Sequence, residues 1–375
     1  MRIGVDAHLV TARPTGVGKS ILRTIEGMAE AGPDETFVVY GNRQLSEDLD
    51  GRRNCVVVRS PLVARSRCLR VLHEVVRMPR LVRRDRIDVF YAPGYVFPGR
   101  LPTRVVQGIY DLNALKHPTL VRRETAWYYK RALPGSAERA RLVLAPTEAV
   151  AADIRAILGV PAGRVRVARL AVDDRFREPP AEPAVIAEKY GIDGPYVLFV
   201  GNIEPNKNLV RLVEAFFAAR LHRGLPHKLV IAGKRRHHAR RVVRAVEELQ
   251  CADHVVFPGY VPDPDLPGLY AGADVFVYPS IAEGFGIPPL EAMSVGTPTI
   301  TSEDPAVVEV TGDGALHVEA TELPALRRGL EKLLTDEAFA RALAERGRRV
   351  AGRYTWAESG RQTLAVLREA AEADT

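Results

Sequence analysis

The sequence predicts an α/β protein built from two doubly wound, Rossmann-like domains facing across a cleft. Short apolar runs rich in β-branched and aromatic residues recur at 2–6, 36–40, 54–58, 87–91, 104–109, 141–145 and 196–200, and again beyond residue 228. Helical stretches alternate with these runs, which is the pattern of parallel sheets covered on both faces. At 375 residues the chain is too long for one ordinary core. A polar, Pro-rich segment, Asp173-Asp-Arg-Phe-Arg-Glu-Pro-Pro180-Ala-Glu-Pro183, interrupts the alternation and reads as a linker.

Composition bounds the function classes. Apolar content of 46% and charged content of 26% are those of a soluble globular chain, and no uninterrupted apolar run is long enough to span a bilayer. Met1-Arg-Ile-Gly-Val-Asp6 carries an acid and no cleavage-site pattern, so it is not expected to be a signal peptide. Cys55, Cys68 and Cys251 lie far apart with no Cys-x-x-Cys, which points to a reducing cytoplasm and against structural zinc. The net charge of +7 fits an anionic ligand, an acidic membrane surface or nucleic acid.

Along the first half, strand 2–6 is followed by a loop through Pro14-Thr15-Gly16-Val17-Gly18 and a helix from about Lys19 to Ala31. Thr15-Gly-Val-Gly-Lys-Ser20 has the letters that end a P-loop, whose amides and lysine hold a nucleoside triphosphate. The pattern needs glycine five positions before Gly18, where Arg13 stands. From 63 to 86 runs an arginine-rich helical stretch, with Arg65, Arg67, Arg70, Arg77, Arg80, Arg83 and Arg84 beside Leu69, Leu72, Val75, Val76 and Leu81; Pro79 should break it in two. A solvated basic face is one reading and peripheral docking on anionic lipid the other. Thr147 fits the N-cap of a helix.

The second half opens with the strand Tyr196–Val200, a turn at Gly201-Asn202 and then Lys207 ahead of a helix. A strand, a glycine turn and a lysine at a helix start form an anion-binding geometry. Lys234-Arg-Arg-His-His-Ala-Arg-Arg241 has no interleaved aromatics, so it reads as solvated surface and not as a nucleic-acid interface. Adjacent His237 and His238 point apart on a helix, against a metal site. Asp274–Tyr278 is a buried strand, and Pro288-Pro289 suits the first turn of a helix running to about Ser294, stopped by Gly296. Glu283 then lies in the loop and Glu291 on the first turns, around Gly284-Phe285-Gly286. The bare backbone suits a phosphate and the two carboxylates suit sugar hydroxyls; an acidic helix start that favours the dipole is the structural reading. A last amphipathic helix, 356–373, turns Leu364, Val366 and Leu367 inward.

Glu283-Gly-Phe-Gly-Ile-Pro-Pro-Leu-Glu291-Ala-Met, with its Glu-x7-Glu spacing, closely resembles the signature of the retaining glycosyltransferases of family 4, which have the GT-B fold. The resemblance extends over nearly the whole chain. It implies an acceptor-side domain over 1–173, a nucleotide-sugar-binding domain over 190–355 and a helix, 356–375, that crosses back onto the first domain. It implies that the donor diphosphate lies on Lys207 and on the backbone of Gly284, Phe285, Gly286 and Ile287, with Glu291 on the ribose and Glu283 on the sugar. Tyr260 and Val261 fall in the loop that meets the base, and Gly16 and Gly18 in a loop opposite the diphosphate. Tyr110 stands where the family has its active-site histidine, so Tyr110 and Asp111 become candidates beside Glu283. Asn202 stands at a diphosphate-gripping arginine and Asn206 where many members carry another basic residue, so one cation is missing or supplied elsewhere. Glu309 matches a position that is frequently acidic. Anomeric retention with neither metal nor cofactor is implied, and Asp263-Pro-Asp265 lacks the strand-end setting of a metal motif.

The Gly-Val-Gly loop, Gly201-Asn-Ile-Glu-Pro-x-Lys-Asn208 and Glu283-Gly-Phe-Gly-Ile-Pro-Pro289 most resemble a bacterial mannosyl- and rhamnosyltransferase branch. GDP-mannose is the expected donor, with UDP- or dTDP-sugars as alternatives. The acceptor is expected to be a glycan, a lipid-linked sugar or a small molecule, handled in the cytoplasm or on the inner face of the membrane. Readings of other classes are a P-loop NTPase at Gly16–Ser20, a GT-B sugar-nucleotide epimerase and a non-catalytic nucleotide-sugar-binding protein.

Overall fold

The computed structural model describes residues 1–11, 16–45, 49–60, 75–97, 99–234 and 239–372. The chain divides into two units, Met1–Ala171 with Thr355–Thr375, and Val172–Tyr354. The Pro-rich segment from Asp173 therefore belongs to the second unit.

Among the described residues, the first unit holds seven parallel strands: β1 (Arg2–Ala7), β2 (Thr36–Gly41), β3 (Cys55–Arg59), β4 (Val89–Ala92), β5 (Arg104–Gly108), β6 (Leu142–Ala145) and β7 (Val165–Val167), in the order β3-β2-β1-β4-β5-β6-β7. β1 pairs with β2 through Val5↔Val39 and with β4 through Val5↔Tyr91. Strands covered on both faces need apolar side chains throughout, and β4 and β6 are buried at every position. The expected strand 87–91 begins only at Val89; just ahead of it the Asp88 carboxylate accepts from the Arg2 amide at 2.7 Å and the Asp88 amide donates to Arg2 O at 2.9 Å.

The C-terminal helix, Trp356–Glu372, packs on the helix Val17–Ala31. Leu364, Val366 and Leu367 are buried there. The two backbones touch at glycines: a Cβ on Gly360 would lie 2.1 Å from the Gly27 carbonyl carbon, and one on Gly27 would lie 2.2 Å from the Trp356 oxygen. Arg368 Nε donates to Glu35 Oε1 at 2.8 Å and Arg166 Nε to Glu369 Oε2 at 3.0 Å, tying the helix to the rest of the unit.

Among the described residues, the second unit holds six parallel strands: β8 (Tyr196–Val200), β9 (Lys228–Ala232), β10 (Val255–Gly259), β11 (Val275–Tyr278), β12 (Thr299–Ser302) and β13 (Leu316–Val318), ordered β10-β9-β8-β11-β12-β13. Strand order reverses between β8 and β11, and ligands of such sheets bind beyond the carboxyl ends of the strands at that switch point. The expected helix at Pro288 is Ile287–Val295, ended by Gly296 with φ +85°.

Half of the basic stretch, 61–74, lies outside the described residues, as do His237 and His238. In the described half, Pro79 sits in the first turn of the helix Met78–Arg84, whose Met78 and Val82 are buried while Arg80, Arg83 and Arg84 face solvent. Among the described residues no helix is long and apolar enough to cross a membrane.

Candidate active site

The carboxyl ends of β8 and β11 bring Lys207 and Glu283 together. Lys207 Nζ donates to Glu283 Oε1 and, at 2.6 Å, to the Tyr278 hydroxyl, and it lies 4.7 Å from the centre of the Tyr278 ring. Lys207 and Glu283 are only 12% and 14% exposed, so the pair is held largely out of water. Burial alone would pull the ammonium down; the charge of Glu283 and the Tyr278 hydroxyl outweigh it and hold Lys207 above the usual lysine range. Burial, with Glu283 next, pushes the Tyr278 phenol up. Asn206 completes the corner: its Nδ2 donates to Ala282 O at 3.1 Å and to Glu283 Oε1 at 3.4 Å, while its carbonyl accepts from the Ile281 amide. A position that the resemblance marks as basic thus instead fastens the Glu283 loop.

Behind Glu283 stands Asp304, a residue sequence reasoning did not single out. Its Oδ2 accepts from the Glu283 amide at 3.3 Å and its Oδ1 from the Ala306 and Val307 amides, capping the helix Pro305–Thr311. Burial pushes its carboxyl up despite those amides. The signal was legible, since Asp followed by Pro at a helix start is a capping pattern. Glu309 lies further along the same helix.

Gly286 caps the helix Ile287–Val295 in the left-handed region, φ +87°, which glycine adopts without strain. It carries no side-chain cap, and because Pro288 and Pro289 have no N–H, the helix start can offer an external acceptor only the Gly286 and Ile287 amides. The Phe285 ring is buried edge-on against Tyr354, centres 5.8 Å apart, so this residue offers backbone only. Glu291 is anchored by Tyr270, whose hydroxyl donates to Oε2 at 2.7 Å; Tyr270 is fully buried. Tyr260 presents a partly exposed ring at the end of β10, and Val261 beside it is buried. Asn202, in the turn after β8, is half-buried. The Asp263-Pro-Asp265 carboxylates are taken by cations: Lys189 donates to Asp265 at 2.7 Å and, with Tyr190, holds it below the usual carboxylate range, while Arg175 lies 3.9 Å from Asp263.

The first-unit candidates sit differently. The Tyr110 hydroxyl is buried beside that of Tyr91, within a cavity that Thr24, Leu170 and Thr363 also line. Burial pushes Tyr110 well up, and Tyr91 up to about 12. The Tyr110 candidate turns its phenol inward, its ring edge-on against Tyr95. Asp111 accepts from the Tyr95 hydroxyl at 2.6 Å and from the Asn113 amide at 2.9 Å.

Gly16 precedes the helix Val17–Ala31, so Gly18 lies inside its first turn and not in a loop. Ser20 is buried, and its hydroxyl donates to Gly16 O at 3.3 Å. A P-loop serine must turn its hydroxyl toward a nucleotide-bound magnesium, which this geometry opposes. Arg13 and Thr15 lie outside the described residues.

Comparison with known proteins fits this arrangement. Residues 14–176 match the family model described as Glycosyltransferase Family 4, and residues 184–350 that described as Glycosyl transferases group 1. The chain is 28% identical over 366 residues to the O-antigen chain mannosyltransferase B of Escherichia coli, covering 93% of this chain and 95% of that protein. It is 31% identical over 229 residues to the serotype-specific mannosyltransferase WbdA of Escherichia coli, covering 59% of this chain but only 28% of that longer protein. Among solved structures, sucrose-phosphate synthase from Thermosynechococcus elongatus superimposes with a TM-score of 0.81 at 20% identity, covering all of both chains. Two doubly wound parallel sheets, the Lys207–Glu283 corner, and family matches to each half lead to one assignment: the chain belongs to the family 4 glycosyltransferases, hexosyltransferases with the GT-B fold.

Proposed function

We propose that this enzyme transfers a mannosyl group from GDP-mannose to a glycan or lipid-linked acceptor, with retention of anomeric configuration and without a metal ion. The observation that carries this reading is the buried Lys207–Glu283 pair set beside the open N-terminus of the helix Ile287–Val295. In the free enzyme Glu283 is the partner of Lys207. A donor diphosphate would take over that ammonium and the Gly286 and Ile287 amides ahead of Pro288, and Glu283 would turn to the hydroxyls of the transferred sugar. Glu291, oriented by Tyr270, accepts from the ribose hydroxyls. Positive charge preorganised at the leaving diphosphate stabilises the charge that develops there as the glycosidic bond breaks. The donor phosphate oxygen serves as the proton acceptor, so the protein needs no general base in this scheme.

The choice of mannose is supported by the likeness to O-antigen chain mannosyltransferase B. The basic stretch 63–86 supports a location at an anionic membrane surface, where a lipid-linked acceptor would lie. Thermal shift with GDP-, UDP- and dTDP-sugars, on wild type and Glu291→Ala, tests the donor. A ligand that binds only the native state raises the melting temperature. Stabilisation by GDP-mannose that Glu291→Ala loses is the expected result. Stabilisation by a UDP- or dTDP-sugar alone would replace the donor.

A further inference from the structure

We infer that Lys234, at the end of β9, is a donor-binding residue that supplies positive charge to the nucleotide diphosphate. The charge at the described part of the edge makes a further cation necessary. Lys207 is already matched by Glu283, Glu291 adds another carboxylate, and Asp304 stands behind. Even with Lys207 released from Glu283, a diphosphate entering this corner would meet a single side-chain cation among these groups, since Pro288 and Pro289 offer no N–H and Asn202 at the neighbouring turn carries no charge.

The edge of the sheet places Lys234 where that charge is wanted. Along the order β10-β9-β8-β11, the strand-end turns carry Tyr260, Lys234, Asn202 and Glu283 in sequence. Adjacent strands lie about 4.8 Å apart, so Lys234 begins one strand from Asn202 and one from Tyr260. The turns are fastened to each other. The Gly233 amide donates to Gly259 O at 2.7 Å, and the Ile203 amide donates to Lys234 O at 3.3 Å. A Cβ on Gly233 would lie 1.8 Å from Gly201 O, so the β8 and β9 turns are in backbone contact.

The side chain is held but not consumed. Lys234 Nζ lies 4.9 Å from the centre of the Tyr260 ring, and no carboxylate pairs with it among the described residues. An ammonium resting on an aromatic face can swing to a phosphate without breaking an ion pair, and doing so would uncover the Tyr260 ring for a base. The basic run 234–241, read from sequence as solvated surface, thus begins with a residue seated on the Tyr260 ring at the end of β10.

This inference rests on the donor-binding reading above, and the test separates the two. Calorimetric binding of GDP is measured for wild type, Lys234→Ala and Lys234→Arg at several salt concentrations. Lys234→Ala should weaken GDP about tenfold to a hundredfold, as expected for the loss of a hydrogen bond to a charged group. Its affinity should also depend less steeply on salt, and Lys234→Arg should recover most of the loss. An Ala variant within twofold of wild type, or one that loses affinity with an unchanged salt slope, would overturn the assignment. If wild type itself binds none of GDP, UDP and dTDP, the donor reading fails first and this inference falls with it.

Discussion

The carboxyl ends of the two sheets share one topology and carry opposite chemistry. In the second unit the strands end in glycine turns that leave backbone bare, and the side chains that gather there, Lys207, Glu283 and Glu291, are charged. In the first unit the ends of β4 and β5 are filled by phenols: Tyr91, Tyr95 and Tyr110 pack together, with Tyr129 against Tyr95. A doubly wound sheet fixes where a ligand would go, and the residues at the strand ends decide what the position can hold. Buried hydroxyls make a rigid wall, whereas a buried ion pair beside open amides makes a binding corner.

The contrast breaks most severely at Lys207. Lys207→Ala leaves Glu283 without its cation in a half-dry pocket and should lower kcat/KM by about 10²–10³-fold, with a fall in melting temperature from the unpaired charge. Steady-state kinetics together with thermal melts checks both, and activity near wild type would move the active site elsewhere. The first unit should fail by packing instead of chemistry. Gly360→Ala puts a methyl 2.1 Å from the Gly27 backbone, so the C-terminal helix must shift at a cost of about 3 kcal/mol. Denaturant unfolding reads this directly, and a cost under about 0.5 kcal/mol would mean that the two helices do not touch there.

A smaller effect separates Asp304 from its neighbours. Its carboxyl is raised in the folded state, so its contribution to stability is complete below the ordinary aspartate range and is lost as pH climbs through the folded value. Asp304→Asn keeps a capping oxygen but cannot ionise. Its melting temperature relative to wild type should therefore improve between pH 4 and pH 7.5; a difference that stays constant with pH would remove burial as the governing cause. The smallest change is expected at Tyr110→Phe. The buried phenol donates to no sugar in this arrangement, so kcat should stay within about twofold and stability within about 1 kcal/mol. A tenfold loss of kcat would show that Tyr110 turns outward during turnover and would erase the contrast between the two edges.

The sequence alone determined the layers and the motif. Apolar runs alternating with helical stretches require doubly buried parallel strands, and Pro288-Pro289 with Gly296 set the limits of the helix to within a residue. Glu283, Glu291 and Lys207 could be named because their spacing is local and carries its own signature. What only the tertiary structure decided is which of these groups face one another. Lys207 and Glu283 are 76 residues apart and meet because β8 and β11 are neighbours at the switch point. Lys234 and Tyr260 meet because β9 and β10 are, although both sit in stretches that read as surface or loop. Tyr110 turned inward because burial beside Tyr91 and Tyr95 is a property of two strand ends, those of β4 and β5, brought side by side by their pairing. Periodicity reports which face of an element is apolar, but pairing, burial and charge balance depend on strand order, and strand order is set by long-range packing.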